Sequence, residues 1–284
     1  MNGAGNDFVV LDNRFYAFSE ADLALLARDL CRRVERVGAD GLLALDHGHG
    51  GADFRMHYHN ADGSRAAMCG NGARCLVRFA EHAGIAASGT ARTGVLAFDT
   101  DAGRYHAVAL SPGEVRLSVP PPERLHRVGL VGGLAAAFVW TGTEHVVVFV
   151  SSAARAPVAS LGPLLRSDPA LGAAGANVNF VEVAGPDRLR VRTFEKGVEA
   201  ETRACGTGAL AAALVALDAG RVSGRSVSVE MPGGTLVVEV PGVDGDAARP
   251  GDALAGIGLS GYTLTGPAET TFRGTAELDP AMLS

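Results

Sequence analysis

Two pentapeptides in this chain are near copies: Cys69-Gly70-Asn71-Gly72-Ala73 and Cys205-Gly206-Thr207-Gly208-Ala209. Each sets a cysteine where a glycine-rich turn enters a run of helix-forming residues. Backbone N–H groups and the positive end of the helix dipole stabilise negative charge there, so such a thiol ionises more readily than a free one. Two such cysteines facing each other make a pair of proton-transfer groups. A thiolate on one side of an amino acid's α-carbon and a thiol on the other remove one proton and return another from the opposite face, which inverts the configuration. The charge that develops spreads onto the α-carboxylate. N–H groups at Gly70, Asn71, Gly206 and Thr207 suit that carboxylate, and the glycines let the backbone come close.

Each residue also has a plainer reading. A lone cysteine before glycine is usually a small core residue, but two in matched contexts argue otherwise. A Cys69–Cys205 disulfide would disable the proton transfer and would reflect oxidation of a reactive pair. Cys31 and Cys75 fall on apolar helix faces and read as structural. His57 and His59 alternate along one strand and are either metal ligands or part of an exposed polar face; no partner with metal-site spacing accompanies them. Every basic residue except Lys196 is arginine, so Lys196 is either a solvated charge or the single lysine open to a mechanism. His145 is either a strand-end residue or a site residue, and Asp62 and Ser64 can serve simply to shape a turn.

The elements that must hold the cysteines repeat in order. In the first half, strands are expected at 8–11, 41–45 and 54–59. A helix opens at Ser19, with Asp22 in a capping-box position and an apolar stripe of Leu23, Leu26, Ala27 and Leu30. The first Cys-Gly helix starts near Asn71 and stops at Gly84, and antiparallel strands follow at 95–98, 105–110 and 114–119. Pro120-Pro121-Pro122 marks a boundary. The second half places strands at 136–140 and 145–150, a short helix at 161–166, and strands at 178–183 and 189–194. The second Cys-Gly helix spans 207–219; strands at 227–231, 235–240, 262–264 and 270–273 complete the chain, with a long surface loop at 242–258. Both Cys-Gly helices read as apolar around most of their circumference, hence as central helices wrapped by strands.

Composition narrows the classes. The chain has 284 residues, 47% of them apolar, a formal charge of −6 and four cysteines. That is enough for two domains with real cores. Scattered basic residues give no nucleic-acid footprint, and no basic leader or membrane-length apolar stretch appears, so a cytoplasmic protein with no nucleic-acid or membrane partner is expected. Four cysteines without Cys-x-x-Cys spacing argue for reduced thiols and against a disulfide scaffold or structural zinc. Neither a dinucleotide fingerprint nor a P-loop is present.

Asn60-Ala61-Asp62-Gly63-Ser64 followed by Cys69-Gly70-Asn71-Gly72-Ala73-Arg74 resembles the signature of the diaminopimelate epimerase family. Gly3-Ala4-Gly5-Asn6-Asp7-Phe8, Gly38-Ala39-Asp40-Gly41, Glu201 through Gly208, Met231 through Gly234 and Thr265 through Glu269 resemble further motifs of that family in the same order. The resemblance implies an α+β fold of two similar domains, each a mixed or antiparallel sheet around a central helix. The domains would span 1–119 and 120–264, with 265–284 returning to the first and the active site in the cleft between them. It implies Cys69 and Cys205 as the acid/base pair, working without pyridoxal phosphate, metal or other cofactor on LL-diaminopimelate to give the meso form. Asn6, Asn60 and Asn177 are implied as substrate contacts, Gly70, Asn71, Gly206 and Thr207 as holders of the reacting carboxylate, and His145 and Glu195 as tuners of the cysteines, with Glu195 also at the substrate. Lys196 matches a residue that binds the far carboxylate, and a homodimer is implied. This chain departs from the family in having Thr143-Glu144 where Asn-Pro is common before the histidine, and Lys196 where arginine is common. The alternatives are a racemase of another amino acid, of histidine or hydroxyproline type, on the same scaffold, and a dithiol redox protein.

Overall fold

A computed structural model of the protein describes residues 1–86, 94–110, 113–241 and 261–279; the loop expected at 242–258 lies outside them. The chain divides into two compact units. Unit 1 holds residues 1–118 and the described residues from Gly266 onward, and unit 2 holds residues from Val119 to 241 and Gly261–Thr265.

Unit 1 contains strands Asn2–Gly3 (β1), Asn6–Asp12 (β2), Gly41–His47 (β3), Phe54–Asn60 (β4), Val95–Thr100 (β5), Gly103–Leu110 (β6) and Glu114–Ser118 (β7), with helices Asn13–Tyr16 (α1), Glu20–Leu30 (α2) and Gly70–His82 (α3). Its neighbouring strands pair antiparallel, parallel, antiparallel, parallel, antiparallel, antiparallel from β1 to β7. Helix α2 starts where the sequence places it. Ser19 accepts from Asp22 N, and the Asp22 carboxylate accepts from Ser19 N, closing a capping box.

Unit 2 contains Glu123–Val131 (β8), Leu134–Trp140 (β9), Glu144–Phe149 (β10), Asn177–Gly185 (β11), Arg188–Glu195 (β12), Ala200–Thr202 (β13), Ser226–Met231 (β14), Gly234–Glu239 (β15) and the first three residues of Thr263–Pro267 (β16), with helices Val158–Arg166 (α4) and Gly206–Asp218 (α5). From β9 to β16, leaving aside β13, which pairs with β12, the pairings run in the same series as in unit 1. Helix α4 connects β10 to β11 as α2 connects β2 to β3, and α5 stands between β12 and β14 as α3 stands between β4 and β5. The short peptide repeat is therefore the visible part of a repeated topology.

Each cysteine-led helix is enclosed by its own unit's strands: α3 by β1, β2, β3, β4, β6 and β7, and α5 by β9, β10, β11, β12, β14 and β15. Residues Gly208 through Ala216 of α5 are all buried. Leu210, Leu214 and Val215 each contribute about 1.5–3 kcal/mol of burial there.

Several expectations need correction. Helix α3 is less apolar than α5: one side of it carries Arg74, Arg78, Glu81 and His82, and Arg74 is fully buried. Strand β8 follows the prolines directly. Its sequence does not alternate, and two register shifts against β9 accommodate it at the end of the sheet. The segment at 270–273 is not a strand. Its β-favouring residues are exposed and pair with no described strand; the last bridge is Asn2 to Glu269. Helix α4 begins three residues before 161. His57 and His59 do not lie on an exposed face: His59 is buried, and His57 Nδ1 lies 2.7 Å from Glu20 Oε1 at the start of α2.

Candidate active site

Cys69 and Cys205 occupy the same place in their units. Each is the residue before a helix, in extended backbone (φ −138°, ψ 119° and φ −124°, ψ 108°). Both sulfurs therefore stand at the positive end of a helix. All four cysteines are thiols rather than disulfides. Burial pushes Cys31 up to about 11 and Cys75 up to about 12, which leaves these two inert as proton-transfer groups at neutral pH.

Around Cys69, Gly72 N donates to Sγ at 3.5 Å. One turn into α3, Arg74 Nη2 donates to Asn71 Oδ1 at 2.7 Å, Asn71 Nδ2 to Asn6 Oδ1 at 2.6 Å, and Asn6 Nδ2 to Asp40 Oδ2 at 3.2 Å. A guanidinium only donates and a carboxylate only accepts, so the two ends of this relay dictate which way both amides face. Asn6 and Asn71, expected at the substrate, are thus held by Asp40 and Arg74. The Arg74 guanidinium is fully buried and its Nη1 has no partner among the described residues. Burial lowers its pKa to about 10, offset in part by Cys75 and Cys69. Asn60 accepts from Tyr58 OH at 2.9 Å and donates to Ser64 Oγ at 3.0 Å, and Asp62 accepts from Ser64 N at 2.8 Å, which shapes the turn before α3.

Around Cys205, register does the positioning. His145 on β10 pairs with Asn177 on β11, and two residues along β11 Asn179 pairs with Thr193 on β12. These side chains share one face of the sheet, beneath the start of α5. His145 is completely buried, with Nε2 2.9 Å from Thr207 Oγ1 and Nδ1 3.1 Å from Asn179 Nδ2. Burial first, then the Lys196 charge, lowers its pKa to about 3 against the opposing pull of Glu144, so the ring is neutral. Thr207 Oγ1 lies 3.4 Å from Cys205 Sγ. Burial raises the pKa of Glu195.

Lys196 is not a solvated charge: its Nζ sits 2.6 Å from Glu144 Oε2. Asn177 spans the same corner, accepting from Lys196 N at 2.8 Å and donating to the Glu144 carbonyl at 3.0 Å. Residues that sequence reasoning missed are Asn179, Thr193 and the buried role of Arg74. A polar residue inside the apolar run 178–183 was the available signal for Asn179. Among the described residues, no group of three or more His, Cys, Asp or Glu side chains is arranged to hold a metal ion, and no helix is long and apolar enough to cross a membrane.

This fold is shared with solved structures of distant sequence. A PhzF-family phenazine biosynthesis protein of Bacillus anthracis is 16% identical, with a TM-score of 0.63 over 94% of this chain and 91% of that one. A hydroxyproline epimerase of Agrobacterium vitis is 20% identical, with a TM-score of 0.61 over 94% and 86%. Doubled sheet-and-helix units place the chain in this architectural class. Sequence narrows it further. The profile of the family described as diaminopimelate epimerase matches residues 1–109 and 137–253. The diaminopimelate epimerase of Chlorobaculum tepidum is 38% identical over 98% of this chain and 100% of its own, and that of Aquifex aeolicus is 38% identical over 81% and 84%. The chain belongs to the diaminopimelate epimerase family and is an isomerase.

Proposed function

We propose that this protein epimerises LL-diaminopimelate to the meso form with Cys69 and Cys205 as its two proton-transfer groups. One sulfur, as thiolate, removes the α-proton; the other, as thiol, delivers a proton to the opposite face, and the two exchange protonation states each turnover. The N–H groups at Gly70, Asn71, Gly206 and Thr207 receive the α-carboxylate, whose charge grows as the carbanion forms. Asn6 and Asn60 contact the substrate, with Asn177 bracing the Glu144–Lys196 corner, while His145 and Glu195 tune the sulfurs. Lys196 serves the distal carboxylate. The observation that carries the reading is the matched placement of both cysteines before helices α3 and α5. A cytoplasmic setting suits two thiols that must stay reduced.

The test is proton NMR of the reduced protein with LL-diaminopimelate in deuterium oxide. Loss of the α-proton signal with appearance of the meso isomer is the expected result, and Cys69→Ala or Cys205→Ala should lower that rate by at least about a thousandfold. Wild-type rates in both variants would end the proposal. A second reading keeps the two cysteines and changes the amino acid. The Glu144–Lys196 pair favours testing it, since Lys196 must leave a carboxylate partner to serve a substrate. Exchange at the α-carbon of another amino acid, with none on diaminopimelate, would decide for it.

A further inference from the structure

Asn179 Nδ2 lies 3.1 Å from the Val146 carbonyl and Asn179 Oδ1 lies 2.9 Å from Thr193 Oγ1. A carbonyl only accepts, so the amide nitrogen must be the atom at Val146. The same nitrogen faces His145 Nδ1 at 3.1 Å. An amide NH2 only donates, so Nδ1 must be the bare, accepting nitrogen. In a neutral ring the proton then resides on Nε2. Asn177 Nδ2 also approaches Nε2, but at 3.5 Å, and its hydrogen bond goes to the Glu144 carbonyl at 3.0 Å. The Nε2–H therefore donates to Thr207 Oγ1, 2.9 Å away. Thr207, having accepted, is left with its own O–H, and Cys205 Sγ stands 3.4 Å from that oxygen.

We propose that Asn179 is a positioning residue: tied to Val146 and Thr193, its amide locks His145 as the Nε2–H tautomer, which directs the Thr207 hydroxyl to donate to Cys205 Sγ. A hydrogen bond donated to sulfur favours the thiolate over the thiol. In the resting protein this relay makes Cys205 ready as the base. Gly208 is the residue that lets the relay approach the helix: a Cβ there would lie 2.5 Å from Asn179 Oδ1. The inference rests on the reading of Cys205 as a proton-transfer group, but the tautomer can be tested without it.

The first experiment is long-range proton–nitrogen NMR of the full-length protein carrying nitrogen-15 histidine. His145 is expected to show a protonated Nε2 and a bare Nδ1. Asn179→Asp replaces the donor by an acceptor, so the tautomer should invert. Thr207 then turns its proton toward Nε2, the alkylation of Cys205 by iodoacetamide, mapped by peptide, shifts to higher pH, and kcat falls about tenfold with KM unchanged, the effect of one lost hydrogen bond. Cys69 alkylation should not move. If Asn179→Asp fails to fold, Asn179→Ala removes the lock and should produce the same Cys205 shift. Thr207→Ser keeps the hydroxyl and should keep the wild-type profile, whereas Thr207→Val should not. A wild-type Nδ1–H tautomer, or an Asn179→Asp protein with an unmoved Cys205 profile, overturns the proposal. Absence of exchange on diaminopimelate in the wild type would instead count against the substrate, with the NMR and alkylation results unaffected.

Discussion

The two cysteine-led helix starts share a backbone but not an environment. Cys69 and Cys205 have nearly equal φ and ψ, stand before helices of equal length, and sit at the same point in one repeated strand order. Yet the relay behind Cys69 is charged at both ends, from buried Arg74 through Asn71 and Asn6 to Asp40, while the relay behind Cys205 is neutral, from Thr193 through Asn179 and His145 to Thr207. Sulfur in the first receives a backbone N–H from Gly72; sulfur in the second does not cap its helix among the described residues and meets a hydroxyl. The repeated architecture thus sets a helix dipole at each thiol, while the side chains behind the two sulfurs differ. What the comparison teaches is that backbone sets where a proton-transfer group stands, and side chains two layers back set which protonation state it prefers.

The largest effect should come from removing the charge that one half has and the other lacks. Arg74 is buried, and its Nη1 has no partner among the described residues, so desolvation of its guanidinium opposes what its hydrogen bond to Asn71 contributes to folding. Arg74→Met is expected to hold or raise the melting temperature while lowering the α-proton exchange rate roughly ten- to a hundredfold, because Asn71 and Asn6 lose the donor that orients them. A variant with full activity would mean that the charged end of the first relay is dispensable.

The equivalent glycines sharpen the comparison at smaller magnitude. A Cβ on Gly208 would lie 2.5 Å from Asn179 Oδ1 and 3.3 Å from Cys205 Sγ, whereas one on Gly72 would lie 3.1 Å from the movable Leu43 Cδ2. Gly208→Ala should cost about 2–3 kcal/mol in urea unfolding, and Gly72→Ala under about 1 kcal/mol once the better helix propensity of alanine is counted. Equal costs would show that the two starts are packed alike after all.

Much of this was legible in the sequence, and the gaps have physical reasons. The capping box at Ser19, the two Cys-Gly entries and the order of elements follow from local chemistry, which is why they were readable. Strand β8 was not, because Glu123–Val131 lacks alternation and exists through its pairing with β9. The apparent strand at 270–273 is absent for the converse reason: it has the composition but pairs with no strand among the described residues. In the site, the cysteines announce themselves by spacing, whereas Asn179 and the buried state of Arg74 depend on cross-strand register and helix enclosure. Lys196 could be named as a site residue, but its pairing with Glu144, adjacent to His145, needed the fold.

The neutral relay carries the last prediction. His145 is held near a pKa of about 3 chiefly by burial, while an unfolded chain's histidine titrates near 6.5. Between those values the unfolded state binds a proton that the native state refuses, so stability falls as pH falls; above about 6.5 the term is constant and fully favourable to the native state. The slope is at most about 1.4 kcal/mol per pH unit for this one site. Buried His59 in unit 1 is also lowered by burial, though Glu20 opposes the shift, and it adds a slope of the same sign. His145→Gln removes one contribution and leaves the other. Chemical denaturation from pH 8 to pH 4 should therefore give a stability difference, wild type minus variant, that is flat above neutrality and narrows steadily below it. Parallel curves would show that native His145 takes up its proton at the same pH as in the unfolded chain, and only below about pH 6.5 would the second relay then carry a charge.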